Sequence, residues 1–198
     1  MVEQPLVDHY HVSPVVEQLL QFIRPHISTD PNDLTLSWEG LRTAIKLHVD
    51  RQSEKIIPGL NDAKNIQSKH KTIADIADTI AIKLTSYVAK KIIDKKTLTA
   101  IIERAFSNLQ AQEALGFAWF EVTRDSDGKI GSAFNHRFLV TTPSPDVPGE
   151  LLCLVFTVRM VGNIRNKEDW FQLGNVELTA QVEATGFAVK EDFKAQPE

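Results

Sequence analysis

Residues 151–161 read LLCLVFTVRMV, and this run decides how the rest of the chain is interpreted. A strand with one solvent-exposed face alternates between apolar and polar residues. This run is apolar at almost every position, so both of its faces carry residues that avoid water. It therefore predicts a central strand that is covered on both sides.

The sequence before this run supplies two partner strands. Residues 117–123 and 130–141 are rich in apolar and β-branched residues, and they flank an Asp127-Gly128 pair. Asp-Gly between apolar runs favours a tight hairpin turn. A proline-rich loop at 143–148 then separates this hairpin from the central run.

The sequence after the central run supplies a further strand. Residues 170–189 are too long for one regular strand, and Gly174 and Gly186 are positions where a bulge or bend is expected. From residue 176 onward apolar and polar residues alternate, which predicts one apolar and one solvent-facing side. The last third of the chain is thus predicted to be an antiparallel β-sheet.

The first two thirds of the chain has a helical pattern instead. Apolar residues recur every three or four positions in 14–23, in a segment that begins at Trp38, in 73–88 and in 98–109. The last two segments are joined by a short connection, which predicts an antiparallel helical hairpin. Ser37 precedes the second helix and is suited to cap it.

Segregation of helices and strands along the chain predicts an α+β fold. The division falls near Gly116, so residues 1–115 are expected to form mainly helical layers and residues 116–198 mainly the sheet. Neither half is a charged tail. We expect a single domain in which an antiparallel sheet is flanked by layers of amphipathic helices.

Composition and charge exclude several classes of protein. The chain has 198 residues with one cysteine, Cys153, which leaves no intrachain disulfide to form. Its formal net charge of −4 argues against a nucleic-acid partner. It has no window of about 18 apolar residues that predicts a spanning helix, and residues 1–5 lack the regions of a signal peptide. We expect a protein that is made in soluble form.

Residues able to support catalysis or to bind metal do not form a recognisable site. His9 and His11 have a spacing that can chelate zinc, but no third ligand lies at a convincing spacing. Asp125 and Asp127 begin like a calcium loop, but the rest of the coordination shell is absent from the sequence. Cys153 lies in an apolar strand, where a thiol is inert. We expect no enzyme, no metal and no cofactor.

The strands carry the strongest functional pattern. The apolar face of the central run is about as long as the roughly 9 to 11 residues that a membrane-crossing strand requires. A soluble sheet beneath helices has the same alternation, so periodicity leaves both interpretations open. The membrane-inserting candidates are Leu152, Leu154, Phe156, Val158, Met160, Val176, Leu178, Ala180 and Val182. The candidates for lining an aqueous pore are Glu177, Thr179, Gln181 and Glu183.

Lysines cluster at the end of the predicted helical hairpin. They are suited to contact anionic lipid headgroups or sulfated sugars, although a solvated helix end accounts for them equally well. The headgroup-contact candidates are Lys90, Lys91, Lys95 and Lys96.

Two stretches of sequence resemble the cytolytic delta-endotoxin (Cyt) family and its mushroom relative volvatoxin. The first is LTAIIERAFSNLQAQ at 98–112 leading to Ala118-Trp119, which is similar to the family's Phe-x-Asn-Leu-x-x-Gln before an Ala-Trp strand. The second is GELLC at 149–153 heading the long apolar run, which is similar to the family's Gly-x-x-x-Cys. The similarity extends from about residue 14 to residue 189.

This resemblance implies a fold and an activity. The fold is a sheet between two helix layers. The activity is that of a pore-forming cytolysin, which is released, binds the lipid bilayer of target cells, assembles with copies of itself and permeabilises the membrane without a chemical reaction. The alternative is a lipid- or glycan-binding module of the same fold that makes no pore.

Overall fold

The computed structural model describes most of the helical and strand segments of the chain. The described residues are 14–26, 37–52, 72–87, 93–114, 118–124, 130–164, 166–171 and 178–195, with the backbone alone at 48–52, 87 and 123. The helices are α1 (Pro14–Ile23), α2 (Trp38–Gln52), α3 (Ile73–Tyr87), α4 (Lys95–Phe106), α5 (Leu109–Ala114) and α6 (Lys167–Trp170). The strands are β1 (Ala118–Arg124), β2 (Ile130–Pro143), β3 (Glu150–Gly162) and β4 (Leu178–Lys190). The predicted α+β class is confirmed.

The four strands form one antiparallel sheet in the order β1-β2-β3-β4. The predicted central strand is β3, which pairs with β2 on one side and with β4 on the other. The register places His136, Val158 and Val182 in one row across three strands. Because side chains alternate along each strand, even-numbered residues share one face of the sheet, and odd-numbered residues share the other.

The face with even-numbered residues packs against α3, α4 and α5. The helical hairpin predicted from the sequence is formed by α3 and α4, which pack against each other. Asp94 is the N-cap of α4, and its side chain accepts a hydrogen bond from the Thr97 amide. The apolar stripes of these helices, including Ile76, Ile80 and Ile102, share one buried cluster with the sheet. We call α3, α4 and α5 the hairpin layer.

The odd-numbered face packs against α1 and α2. Leu19, Ile23 and Leu41 join Cys153 and Phe187 of the sheet in a second buried cluster. The predicted cap of α2 is confirmed, since Ser37 Oγ accepts a hydrogen bond from the Gly40 amide at 3.3 Å. We call α1 and α2 the N-terminal layer. With one helical layer on each face, β3 is buried on both sides as its sequence predicts.

The predicted strand at 170–189 differs from the structure in two ways. Trp170 ends helix α6, and β4 begins only at Leu178. Trp170 is 1% exposed, and its indole Nε1 donates a hydrogen bond to Ser132 Oγ at 2.7 Å. These contacts fix the helical turn of α6 against β2. No bulge forms at Gly186, which pairs in regular register with Leu154. Gly174 lies outside the described residues.

Candidate functional site

The apolar candidates for membrane insertion lie together on one face of the sheet. The candidates of β3 and β4 that the structure describes are all buried and belong to the cluster under the hairpin layer. Phe156 is 0% exposed, and its ring stacks on that of Phe138 with centroids 4.4 Å apart. The buried candidates are Leu152, Leu154, Phe156, Val158, Met160, Leu178, Ala180 and Val182. This continuous apolar surface can contact lipid only if the hairpin layer moves away.

The polar candidates of β4 lie on the opposite face. Thr179, Gln181 and Glu183 are half-buried and alternate with fully buried apolar residues, so the predicted solvent-facing side is only partly exposed in this form of the protein. The reason is the N-terminal layer, because α2 brings Trp38 and Arg42 to Glu183. Burial raises the pKa of Glu183, and the Arg42 charge and the hydrogen bond with Trp38 partly oppose that rise.

Three polar residues in the middle of β2 were not identified as functional candidates by sequence reasoning. Asn135, His136 and Arg137 are consecutive and are each less than 10% exposed. Such a run inside a strand of otherwise apolar character is the signal that could have revealed them, because buried polar groups need partners. Their partners lie on β1, α4 and α5.

Two of these residues help to form a polar patch on the odd-numbered face. Arg159 of β3 binds Glu121 of β1 in a bidentate contact of 3.1 and 3.3 Å, and Asn135 donates to the same carboxylate at 3.3 Å. The guanidinium of Arg137 lies over the Trp119 ring, 4.4 Å from its centroid. These contacts link β1 to β3 across β2, so we interpret them as stabilising the sheet and not as a catalytic site.

The lysine candidates that the structure describes lie at the start of α4. Lys95 and Lys96 are exposed. The Lys95 ammonium pairs with Asp78 of α3 at 2.8 Å, with both side chains about half exposed. Beside them is an open depression of about 540 Å³, lined by Thr85, Ser86, Ile93, Asp94 and Lys95. This end of the hairpin layer therefore offers cationic and hydroxyl groups to a ligand.

The short helix α6 connects the end of the sheet to the hairpin layer. The Lys167 ammonium pairs with the Glu113 carboxylate of α5 at 2.6 Å. Trp170 donates to Ser132 of β2, and Ser132 Oγ in turn donates to the Ile164 carbonyl oxygen. The connection between β3 and β4 is thus attached to α5 at one point and to β2 at another.

Several other candidates carry no chemistry in the described part of the chain. Cys153 is 0% exposed under the N-terminal layer, as expected for a packing thiol. No group of three or more metal-ligating side chains occurs among the described residues. Within the same ranges, no helix has the length and apolar character needed to cross a bilayer. The candidates that lie outside the described residues are His9, His11, Lys90, Lys91, Asp125, Asp127, Val176 and Glu177.

Comparisons with known proteins connect this architecture to toxins. No protein-family model matches the sequence, and no curated protein matches it. Among solved structures, a delta-endotoxin superposes with a TM-score of 0.72 at 13% identity, over 98% of this chain and 85% of that one. Activated Cyt2Ba monomer from Bacillus thuringiensis subsp. israelensis superposes with a TM-score of 0.64 at 13% identity, over 96% of this chain and 100% of that one. The chain therefore has the fold of the Cyt delta-endotoxins, in which one antiparallel sheet lies between two helical layers.

Proposed function

We propose that this protein is a cytolysin that permeabilises lipid membranes. The observation that carries the proposal is the apolar surface of β3 and β4, which is buried only because amphipathic helices cover it. Strands of 13 residues are long enough to cross the hydrocarbon core when tilted. The fold shared with toxin structures supports the same function.

The proposed action begins with binding to the membrane and ends with lipid in place of helices against the sheet. Lys95 and Lys96, with Lys90 and Lys91, contact anionic headgroups. The hairpin layer then leaves the sheet, and lipid replaces the helices against the apolar face. Copies of the protein assemble, because backbone groups at the edge strands must be paired inside a bilayer. Glu177, Thr179, Gln181 and Glu183 would then face water.

Dye release from protein-free liposomes tests this function. A cytolysin releases the dye at protein concentrations where it binds, and it lyses erythrocytes. A binding module of the same fold sediments with the vesicles but releases nothing. Binding without release would therefore overturn the proposal and favour the alternative. The exposed lysines and the adjacent depression are compatible with either function.

Immobilising the hairpin layer tests the opening step. Glu113 and Lys167 form a 2.6 Å ion pair between α5 and α6, so Glu113→Cys and Lys167→Cys place two thiols near each other. A bismaleimide with a cleavable disulfide in its spacer can join them, while the buried Cys153 is out of its reach. We expect the crosslinked protein to bind liposomes without releasing dye, and release to return after reduction.

A matched control uses Lys190→Cys and Lys194→Cys. Both lysines are exposed at the end of β4 and belong to one segment, so their crosslink ties no helix to the sheet. This control should release dye whether crosslinked or reduced. Full release by the crosslinked Glu113→Cys, Lys167→Cys protein would show that α5 does not have to separate from α6 for lysis.

A further inference from the structure

His136 is a buried imidazole at the contact between the sheet and the hairpin layer. It is 3% exposed and lies in β2 on the even-numbered face. Its ring stacks on Phe138 with centroids 4.1 Å apart and meets Phe106 of α4 edge-on at 6.1 Å. Its Nε2 lies 3.2 Å from Gln112 Oε1 of α5. One side chain therefore contacts both helices that cover this part of the sheet.

The surroundings of the ring suit a neutral imidazole and not an imidazolium. With Nε2 protonated, the neutral ring donates to Gln112, and Nδ1 carries no proton. Among the described residues, no acceptor forms a hydrogen bond of normal geometry with Nδ1. A second proton would thus add a charge between two phenyl rings, which is costly in a buried site.

No opposite charge compensates for that cost among the described residues. The side chains that pack around the ring from its neighbouring elements are Phe106, Gln112, Ala118 and Val158. The charged groups of the same elements do not face the ring. Glu103 and Arg104 are exposed, and Arg137 is on the other face. Glu113 pairs with Lys167, and Glu121 pairs with Arg159. Burial lowers the pKa of His136 to about 3, and the Arg137 backbone opposes this with a smaller contribution.

We propose that mildly acidic pH opens the hairpin layer, because His136 binds a proton once α4 and α5 have separated from the sheet. When this layer opens, the ring reaches water and binds a proton with the affinity of an ordinary histidine. The closed form does not bind that proton. Acid therefore favours the open form, since a ligand stabilises the state that binds it.

The direction and size of the effect follow from proton linkage. Above the ordinary histidine pKa of about 6.5, both forms are neutral and the closed form keeps its full stability. As pH falls below that value, only the open form gains a proton, and stability of the closed form is lost progressively toward the folded pKa. Between pH 8 and pH 5 the opening constant should rise roughly 30-fold.

Hydrogen exchange of α4 amides measures this opening without any membrane. After correction for the intrinsic pH dependence of exchange, the wild-type opening constant should rise roughly 30-fold from pH 8 to pH 5. His136→Gln keeps a hydrogen-bonding side chain but has no charge change in this range, so the rise should disappear. An equal rise in the wild type and in His136→Gln would overturn the proposal.

A matched control removes a different histidine. His26 follows α1 on the opposite side of the sheet, where it is half-buried and its ring meets Phe22. His26→Gln should keep the rise in α4 exchange. A histidine NMR titration of the wild type covers the case in which His136→Gln does not fold: His136 should stay neutral to pH 5 in the folded protein, and titration near 6.5 would overturn the proposal.

Dye release then shows whether opening leads to lysis, and this last step rests on the proposed function. Wild-type release should be faster at pH 5 than at pH 7.5, and His136→Gln should show the smaller pH dependence. A pH-dependent opening with no release at any pH would leave the His136 assignment supported and would overturn the cytolysin. Release that does not follow α4 exchange would overturn the step from opening to lysis.

Discussion

Phe156 shows how much one side chain contributes to the buried apolar face. It is fully buried in β3 and stacks on Phe138 with nearly parallel rings. Phe156→Ala removes this contact and leaves a cavity, which should cost about 3 to 5 kcal/mol of unfolding free energy. Thr157→Ala, at the next and half-buried position, should cost at most about 1 kcal/mol. Urea unfolding of both variants checks this difference, and equal costs would contradict the packing described for β3.

Glu183 gives a stability effect that depends on pH. Because its pKa is raised in the folded protein, folding favours the protonated carboxyl. The ionised form costs stability at neutral pH, and this cost vanishes below the pKa of the unfolded state. Glu183→Gln keeps an acceptor for Trp38 and carries no charge. Its melting temperature relative to wild type should therefore be higher at pH 7 than at pH 4, and a difference independent of pH would contradict this assignment.

The residues that sequence reasoning missed are those whose importance depends on distant partners. Alternation along β3 and β4 is local, so it correctly grouped the apolar candidates on one face. The burial of Glu183 depends on α2, which is far away in sequence, and its polar neighbours suggested exposure. Asn135, His136 and Arg137 likewise look like a polar interruption until β1, α4 and α5 are placed around them.

At the level of single elements, α4 depends on its N-terminal cap. Asp94 accepts hydrogen bonds from the Thr97 amide at 3.0 Å and from the Thr97 hydroxyl at 2.6 Å, and the hydroxyl bond is the largest cause that lowers the pKa of Asp94. Asp94→Ala should cost about 1 kcal/mol at pH 7. Since Asp94 has a lowered pKa, its contribution should fade as pH drops through that pKa.

Asp94→Asn is the matched control for this cap. Asparagine caps helices about as well as aspartate, so this variant should retain most of the stability and should not show the loss at low pH. Thermal unfolding at pH 7 and pH 2.5 checks both variants. If Asp94→Asn were as unstable as Asp94→Ala at pH 7, the hydrogen bonds to Thr97 would not be the source of the effect.

Elements with a long periodic pattern were predicted well, and short ones were not. The stripes of α3 and α4 and the doubly apolar β3 each repeat over many residues, so local reasoning identified them. Helix α6 has only one turn, and Trp170 and Phe171 favour strands in isolation. Their rings instead pack on Phe134, an interaction that no local pattern reveals.

For the whole molecule, the placement of positive charge should decide how it meets a membrane. Lys95 and Lys96 are exposed at one end of the hairpin layer. Each lysine near an anionic surface contributes about 1 kcal/mol, so Lys95→Gln with Lys96→Gln should weaken binding to phosphatidylserine vesicles roughly 30-fold at low salt. The ion pair of Lys95 with Asp78 is exposed and contributes little to stability.

Lys190→Gln with Lys194→Gln is the control with the same change of net charge. These lysines flank Phe193, which packs on Phe22 of α1 at the other layer. Vesicle sedimentation should show a smaller loss for this pair, and raising the salt should reduce the difference because exposed charges are screened. Equal losses would mean that net charge, and not the end of the hairpin layer, determines binding.

Because Cys153 is buried on the odd-numbered face, the rate at which its thiol is labelled reports when that face becomes exposed. A thiol reagent reaches this side chain only when α1 and α2 separate from the sheet, whereas exchange in α4 reports the other side. Comparing the two rates during vesicle encounter therefore orders the events in time. If the hairpin layer leaves first, exchange in α4 should accelerate before Cys153 is labelled. The natural cysteine makes this experiment possible with no substitution at all.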